Sequence, residues 1–240
     1  MTPRGAAGFG SFEDGEGGGT GTLRARWNAR RGLEFYRLDG VAGPTRARVR
    51  AMTIQVRDLG PPLWPDYEKL FGKNGACGGC WCMSWRVKKG EKWAELKGDK
   101  AKRRMRALIG AGEAHGVLAY VDGEPVGWCA YGRRTEFSRL DRAPSLACDD
   151  AEKVWSLPCF YVKNGFRGQG VAKAMLDASL AFMKKRGARL AEGYPVKPAK
   201  SGEPIPAAFA WTGTRPLFSH AGFEVVGNRD GGKQRVRRAL

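Results

Sequence analysis

The apolar positions of this chain change period several times, and each change marks an element. Residues 52–59 alternate apolar and polar, the period of a strand. Gly60-Pro61-Pro62 then makes a turn, after which Leu63, Trp64, Tyr67, Leu70 and Phe71 recur at helical spacing. Residues 72–79 read as a glycine-rich loop, and residues 87–100 are charged and belong at the surface. A basic helix fits residues 102–109, with Met105, Leu108 and Ile109 inward and Gly110 near its end. Residues 115–121 and 125–132 read as two strands whose link, Asp122-Gly123-Glu124, carries the Asp-Gly hairpin signal.

A polar stretch over 133–152 reads as a long loop with a short helix. Residues 154–162 form the strongest strand pattern, followed by a glycine turn and a helix over about 170–186. That helix puts Val171, Met175, Ala178 and Phe182 on one face, spaced to pack on a sheet. A strand over 189–196, a long Pro- and Gly-rich loop over 197–213 and a short helix over 214–221 follow. Residues 223–226 close the pattern as a strand that residues 234–237 can pair with. A helix crossing between the 154–162 and 189–196 strands makes those two parallel, whereas the hairpin strands are antiparallel. The predicted fold is α/β (α+β), a mixed sheet flanked by helices in one domain over 52–240.

Residues 1–51 differ from the rest. They are rich in Gly and Arg, contain no Lys and hold no lasting periodicity, so they read as a disordered extension. A start at Met52, with the upstream residues a mis-assigned beginning, is the alternative reading. The whole chain carries 42 Lys plus Arg against 24 Asp plus Glu, a formal +18, which favours polyanionic partners. The basic residues are scattered rather than striped, so solubility explains the charge as well as binding does. No apolar run approaches a membrane span and no secretory start is evident, so a cytoplasmic location is expected.

The stretch joining the strongest strand to its helix holds the candidate chemistry. Arg167-Gly168-Gln169-Gly170-Val171-Ala172 is a glycine turn that opens a helix. Glycine lets main-chain N–H groups face outward, and a helix start adds unpaired donors and a positive dipole end. Together these make an anion site suited to a phosphate or pyrophosphate. A dinucleotide fingerprint needs G-x-G-x-x-G, and the spacing from Gly165 to Gly168 is wrong for it. A P-loop needs Gly-Lys-Ser/Thr, which is missing.

The turn resembles the acyl-CoA turn of the GNAT superfamily of N-acetyltransferases, with Arg167, Gly170 and Ala172 at the marked positions of Arg/Gln-x-x-Gly-x-Gly/Ala. The resemblance runs from about residue 52 to the C-terminus. It includes the hairpin and Leu217-Phe218-Ser219-His220-Ala221-Gly222-Phe223, which looks like the superfamily's last helix and its exit. The segments Cys80-Trp81-Cys82-Met83-Ser84-Trp85-Arg86 and Ala210-Trp211-Thr212-Gly213-Thr214 look like those of a bacterial subgroup of unnamed acceptor. The resemblance implies two central parallel strands splayed to hold acetyl-CoA. It implies a pyrophosphate on the N–H groups of Arg167, Gly168, Gln169, Gly170, Val171 and Ala172, and a pantetheine along Phe160, Tyr161 and Val162. Pro158 fits a break in that strand, because proline removes a ladder donor. The expected reaction is acetyl transfer from acetyl-CoA to a primary amine by direct attack.

Glu192 is the first candidate for the base that takes the amine proton, with a structural ion pair as the competing role. Many members of the superfamily use a Tyr in the last helix as general acid; the matching position here is Phe218. Tyr194 is the substitute candidate. The expected acceptor is a small-molecule or protein amine, and a homodimer is left open. Two readings from other classes stand beside this one: a basic nucleic-acid-binding protein, for which no motif is present, and a CoA-binding module without catalysis. Cys77, Cys80 and Cys82 have C-x-x-C spacing, but no second pair follows and the only histidines are His115 and His220, so no metal is expected. These thiols are expected beside the acceptor cleft, and Cys159 is expected as a buried strand thiol rather than a nucleophile. Most of the tryptophans, among them Trp81, Trp85, Trp128, Trp155 and Trp211, are expected in the core.

Overall fold

The computed structural model describes residues 21–28, 32–39, 53–196, 210–227 and 234–240. Its elements in chain order are β1 (Gly21–Asn28), β2 (Gly32–Asp39), β3 (Thr53–Asp58), α1 (Trp64–Phe71), α2 (Trp93–Leu96), α3 (Asp99–Gly110), β4 (His115–Val121) and β5 (Glu124–Arg133). Then follow β6 (Trp155–Val162), α4 (Val171–Lys185), β7 (Leu190–Gly193), α5 (Arg215–Ser219), β8 (Glu224–Val226) and β9 (Arg235–Ala239). The strands form one nine-stranded sheet in the order β1-β2-β3-β4-β5-β6-β7-β9-β8. Every pairing is antiparallel except β6 with β7, which α4 connects in parallel. This is the predicted mixed, mostly antiparallel fold with one parallel pair at its centre.

Why these segments fold this way is clearest at β4 and β5. The turn between them places Asp122 at φ 48° and Gly123 at φ 80°, two consecutive left-handed residues of the kind a two-residue hairpin demands. Both strands are buried over most of their length because each face is covered. On one face Val117, Ala119, Val126 and Cys129 pack under α4 through Val171, Met175, Ala178 and Phe182, the stripe predicted from periodicity. Gly127 sits under that helix, where a Cβ would come within 2.9 Å of Val171 and Met175. On the other face Leu118, Tyr120, Trp128 and Ala130 meet α1 and α3 through Tyr67, Leu70, Phe71, Met105 and Ile109. The 133–152 stretch consists of short 3-10 turns rather than a helix.

Two expectations are corrected. The segment read as a disordered extension contains β1 and β2, a hairpin that adds to the β3 edge with Phe35 opposite Ile54 and Leu33 opposite Val56. Its strand residues were masked in the sequence by the glycines around them; the rest of 1–51 lies outside the described residues. The strand expected over 189–196 is only four residues long and ends at Gly193, with Val196 reduced to a single bridge to Thr214. Pro195 explains the early stop, since it has no N–H for a ladder. The long loop expected over 197–213 falls mostly outside the described residues.

Candidate active site

β6 and β7 pair in register only at Trp155 with Ala191, Ser156 with Glu192 and Leu157 with Gly193. Beyond that point Pro158 offers no N–H, β7 ends, and the two strands part. The open edge of β6 then takes other partners. Pro158 C=O accepts from the Trp85 indole N–H at 2.9 Å, Phe160 N–H donates to Trp211 C=O at 2.7 Å, and Val162 C=O accepts from the Arg167 guanidinium at 3.0 Å. The opposite edge pairs with β5 through Cys159 and Tyr161. By strand alternation, Phe160 and Val162 are therefore the residues whose main chain faces the wedge.

The glycine turn follows directly. Gly165, Gly168 and Gly170 have φ of 88°, 72° and 83°, conformations that other residues rarely adopt. Gly170 is the left-handed cap from which α4 starts, and its C=O receives the first helical bond, from Ala174 N–H at 2.9 Å. The N–H groups ahead of Ala174 have no helical acceptor, so they point out of the helix end. Gln169 turns back to donate to Gly165 C=O at 2.7 Å, which braces the turn.

One cavity of about 600 Å³ joins these parts. Its floor is Phe160, Tyr161 and Val162; one end is Arg167, Gly168, Gly170, Val171 and Ala172; Ala210, Trp211, Thr214 and Leu217 form the facing wall. Of the residues expected to hold the cofactor, only Gln169 is absent from the lining, and its side chain is spent on the turn itself. Lys173 and Cys77, also in the lining, were missed in the sequence. Lys173 sits in the first turn of α4, a position at which a second cation beside Arg167 could have been noticed. A depression of about 670 Å³ over β8 and β9 shares none of these residues.

The catalytic candidates lie elsewhere. Glu192 is fully buried, with one carboxylate oxygen bonded to Arg134 at 2.5 Å and the other to Arg237 at 2.6 Å and Arg235 at 3.4 Å. Arg134 is itself fully buried and also bonds Tyr194 Oη at 2.8 Å, Asp141 at 2.9 Å and Leu146 C=O at 2.6 Å. Arg237 continues the network to Asp150 through two 2.7 Å bonds, and Arg237 holds the Asp150 carboxyl down at about 2. Tyr194 shares a 2.6 Å hydrogen bond with Ser156, and burial pushes its phenol well above the ordinary range. Neither Glu192 nor Tyr194 lines the cavity. Both carboxylate oxygens of Glu192 are engaged by arginines.

Phe218 is also buried. It packs edge-on against Phe160 at 5.9 Å and Phe223 at 5.1 Å, and it fills the space over Gly193, where a Cβ would lie 2.3 Å from its ring. Trp85 is buried and lies tilted at 5.5 Å against Trp211, which is 36 % exposed. Cys82 is buried in the cluster on the α1 face of the sheet and Cys159 packs at its margin, and no cluster of potential metal ligands occurs among the described residues. No helix among the described residues is long and apolar enough to cross a membrane.

A mostly antiparallel sheet whose one parallel pair among the described residues parts beside a glycine-turn cavity matches the fold expected from the sequence. Residues 82–195 match the acetyltransferase (GNAT) family. The match covers 114 of the 240 residues and makes that segment similar to GNAT acetyltransferases. Among solved structures, the GNAT domain of PAT from S. lividans is 16 % identical, with 78 % of this chain and 91 % of that one covered at a TM-score of 0.47. A GCN5-related N-acetyltransferase from Kribbella flavida is 19 % identical over 78 % and 98 %, at 0.46. A phosphinothricin acetyltransferase from Sinorhizobium meliloti, solved with AcCoA, is 15 % identical over 78 % and 88 %, at 0.46. No curated protein matches the chain.

Proposed function

We propose that this protein transfers an acetyl group from acetyl-CoA to a primary amine by direct attack. The observation that carries the reading is the single cavity that runs from the glycine turn along the wedge edge of β6. In this reading the main-chain N–H groups of 167–172 hold the pyrophosphate, with the Arg167 and Lys173 cations beside it. Pantetheine lies along Phe160–Val162 as an added strand, pairing with the main chain that alternation turns into the wedge.

The thioester then sits at the Pro158 end. Phe160 N–H is the donor there, and at present it is held by Trp211 C=O. The thioester carbonyl takes that carbonyl's place, so that the N–H meets the oxygen on which negative charge develops. The amine nitrogen attacks the carbonyl carbon, the tetrahedral species collapses, and the C–S bond breaks. A water relay removes the amine proton, because both oxygens of Glu192 are committed to arginines. The thiolate leaves without a protein acid: a thiol pKa of about 8.5 makes it a tolerable leaving group, and Phe218 stands where a phenol would be. Glu192 and Tyr194 act as positioning residues, fixing Arg134 and the end of β7 where the wedge opens.

The test is release of free CoA thiol when the protein is mixed with acetyl-CoA and a panel of amines. Amine-dependent release is expected. Absence of CoA binding by calorimetry would overturn the reading.

A further inference from the structure

The donor pose proposed above ends at Phe160 N–H, and what stands one step further along β6 limits the acyl group; the inference rests on that pose. Phe160 and Pro158 have the same strand parity, so both turn their main chain toward the wedge, about 7 Å apart along the strand. Phe160 N–H is the group placed under the thioester carbonyl. Pro158 C=O is already bonded to the Trp85 indole N–H at 2.9 Å. The edge of the Trp85 ring therefore occupies the next position beyond the thioester.

Trp85 is firmly held. Its ring is buried in a cluster with Phe137, Leu140, Leu146 and Tyr194, and its C=O accepts from Arg139 N–H at 3.1 Å. The residues after it are pinned to the same loop. Arg86 bonds Glu136 at 3.0 Å, and Val87 C=O accepts from Ser138 at 3.1 Å and from Arg142 at 2.5 Å. The chain ahead of it is bent to deliver it. Trp81 and Cys82 have φ of 45° and 57°, left-handed values that residues other than glycine keep only where contacts hold them. Tyr67 Oη supplies one such contact, donating to Trp81 C=O at 3.1 Å.

Trp211 borders the same end of the wedge as a different kind of wall. It lines the cavity, is 36 % exposed, and its C=O holds the Phe160 N–H that the thioester takes over. Donor binding therefore displaces the Trp211 main chain. The Trp85 ring, 5.5 Å behind the Trp211 ring, is the next surface and has no such reason to move.

We propose that Trp85 is the stop that restricts the donor to a short acyl group. The two carbons of an acetyl group end before the indole. Each further methylene runs toward a ring that is hydrogen-bonded and packed in place, so a longer chain must break the bond to Pro158 or leave the wedge. A methylene or two against such a wall is worth roughly tenfold or more in discrimination.

The experiment titrates the full-length chain with CoA, acetyl-CoA, propionyl-CoA, butyryl-CoA and hexanoyl-CoA in a calorimeter, with no amine present. Affinity is expected to fall about tenfold from acetyl-CoA to butyryl-CoA and further at hexanoyl-CoA. In Trp85→Ala and Trp85→Leu, hexanoyl-CoA comes within about threefold of acetyl-CoA. Trp85→Phe keeps a ring but loses the indole donor, and its preference falls between those of the wild type and Trp85→Leu. A thermal melt on each variant shows whether it folds cooperatively. A wild-type chain that binds every thioester equally overturns the proposal, whatever the variants do. A folded Trp85 variant, Phe included, that keeps the full wild-type preference overturns it as well. These outcomes are distinct from failure of the donor reading, in which CoA itself does not bind.

Discussion

The cavity proposed for the donor and the charge network around Glu192 are built on opposite plans. The cavity is made largely of main chain: left-handed glycines, a helix start and the edge of β6 that has no strand partner beyond Leu157. The network is made of side chains: Glu192, Arg134, Arg237, Asp150 and Tyr194, most of them closed off from water. The first leaves hydrogen-bonding capacity open for a ligand. The second uses its capacity up, and so it can brace β7 and the loop over 134–150 but has no oxygen free for an acceptor.

The contrast can be broken most sharply at Glu192. Glu192→Gln leaves the buried Arg134 with Asp141 as its remaining carboxylate and strips Arg237 of one partner, which is expected to cost about 3 kcal/mol in urea unfolding. A variant of unchanged stability that has lost only acetyl transfer would return Glu192 to catalysis. Next comes Gly193→Ala, where the added Cβ runs into Phe218; a loss of about 1–3 kcal/mol from overpacking is expected in thermal melts, with CoA binding retained below the transition.

Gly170→Ala forces a left-handed alanine at the start of α4, a strain of about 1–2 kcal/mol. Because the strained residue also shapes the anion site, the KM for acetyl-CoA should rise about tenfold, on the order of 1.4 kcal/mol in donor binding. A KM that stays put would detach the turn from the donor. Arg167→Ala is expected to weaken CoA by less than Gly170→Ala and to flatten the salt dependence of binding in calorimetry, since it removes one partly exposed cation.

The smallest effect concerns acid. Asp150 is held at about 2 against an ordinary 3.8, so its contribution to stability is complete above about 4 and is lost as pH falls toward 2. Asp150→Asn should remove that part of the acid dependence of the melting temperature. An unchanged acid limb would show that the bond to Arg237 is too well solvated to matter.

The two regions were not equally readable in the sequence. The turn is local: Arg167, Gly168, Gly170 and Ala172 lie within six residues, and their spacing alone excluded other phosphate sites. The α4 stripe and the Asp122-Gly123 hairpin are local for the same reason. The network is not. Glu192 meets Arg134 across 58 residues and Arg237 across 45, and no pattern in either segment points to the other. Sequence could place Glu192 mid-strand at the wedge, but only the assembled sheet shows that its oxygens are already taken. The wall at Ala210 and Trp211 was hidden by the same distance, whereas Lys173, next to Ala172, was within local reach. The β1–β2 hairpin was hidden by composition, because glycine-rich flanks read as unstructured whatever the strands between them do.

That hairpin has a consequence for how the protein behaves as a population of molecules. With β2 laid along β3, the outermost strand of the sheet is β1. A chain that began at Met52 would end its sheet on β3 and present a bare row of N–H and C=O groups beside Ile54 and Val56. Such an edge invites a strand from another molecule. β1 and β2 thus cover the β3 edge and move the free edge of the sheet out to β1, and their removal should be read first in light scattering rather than in turnover.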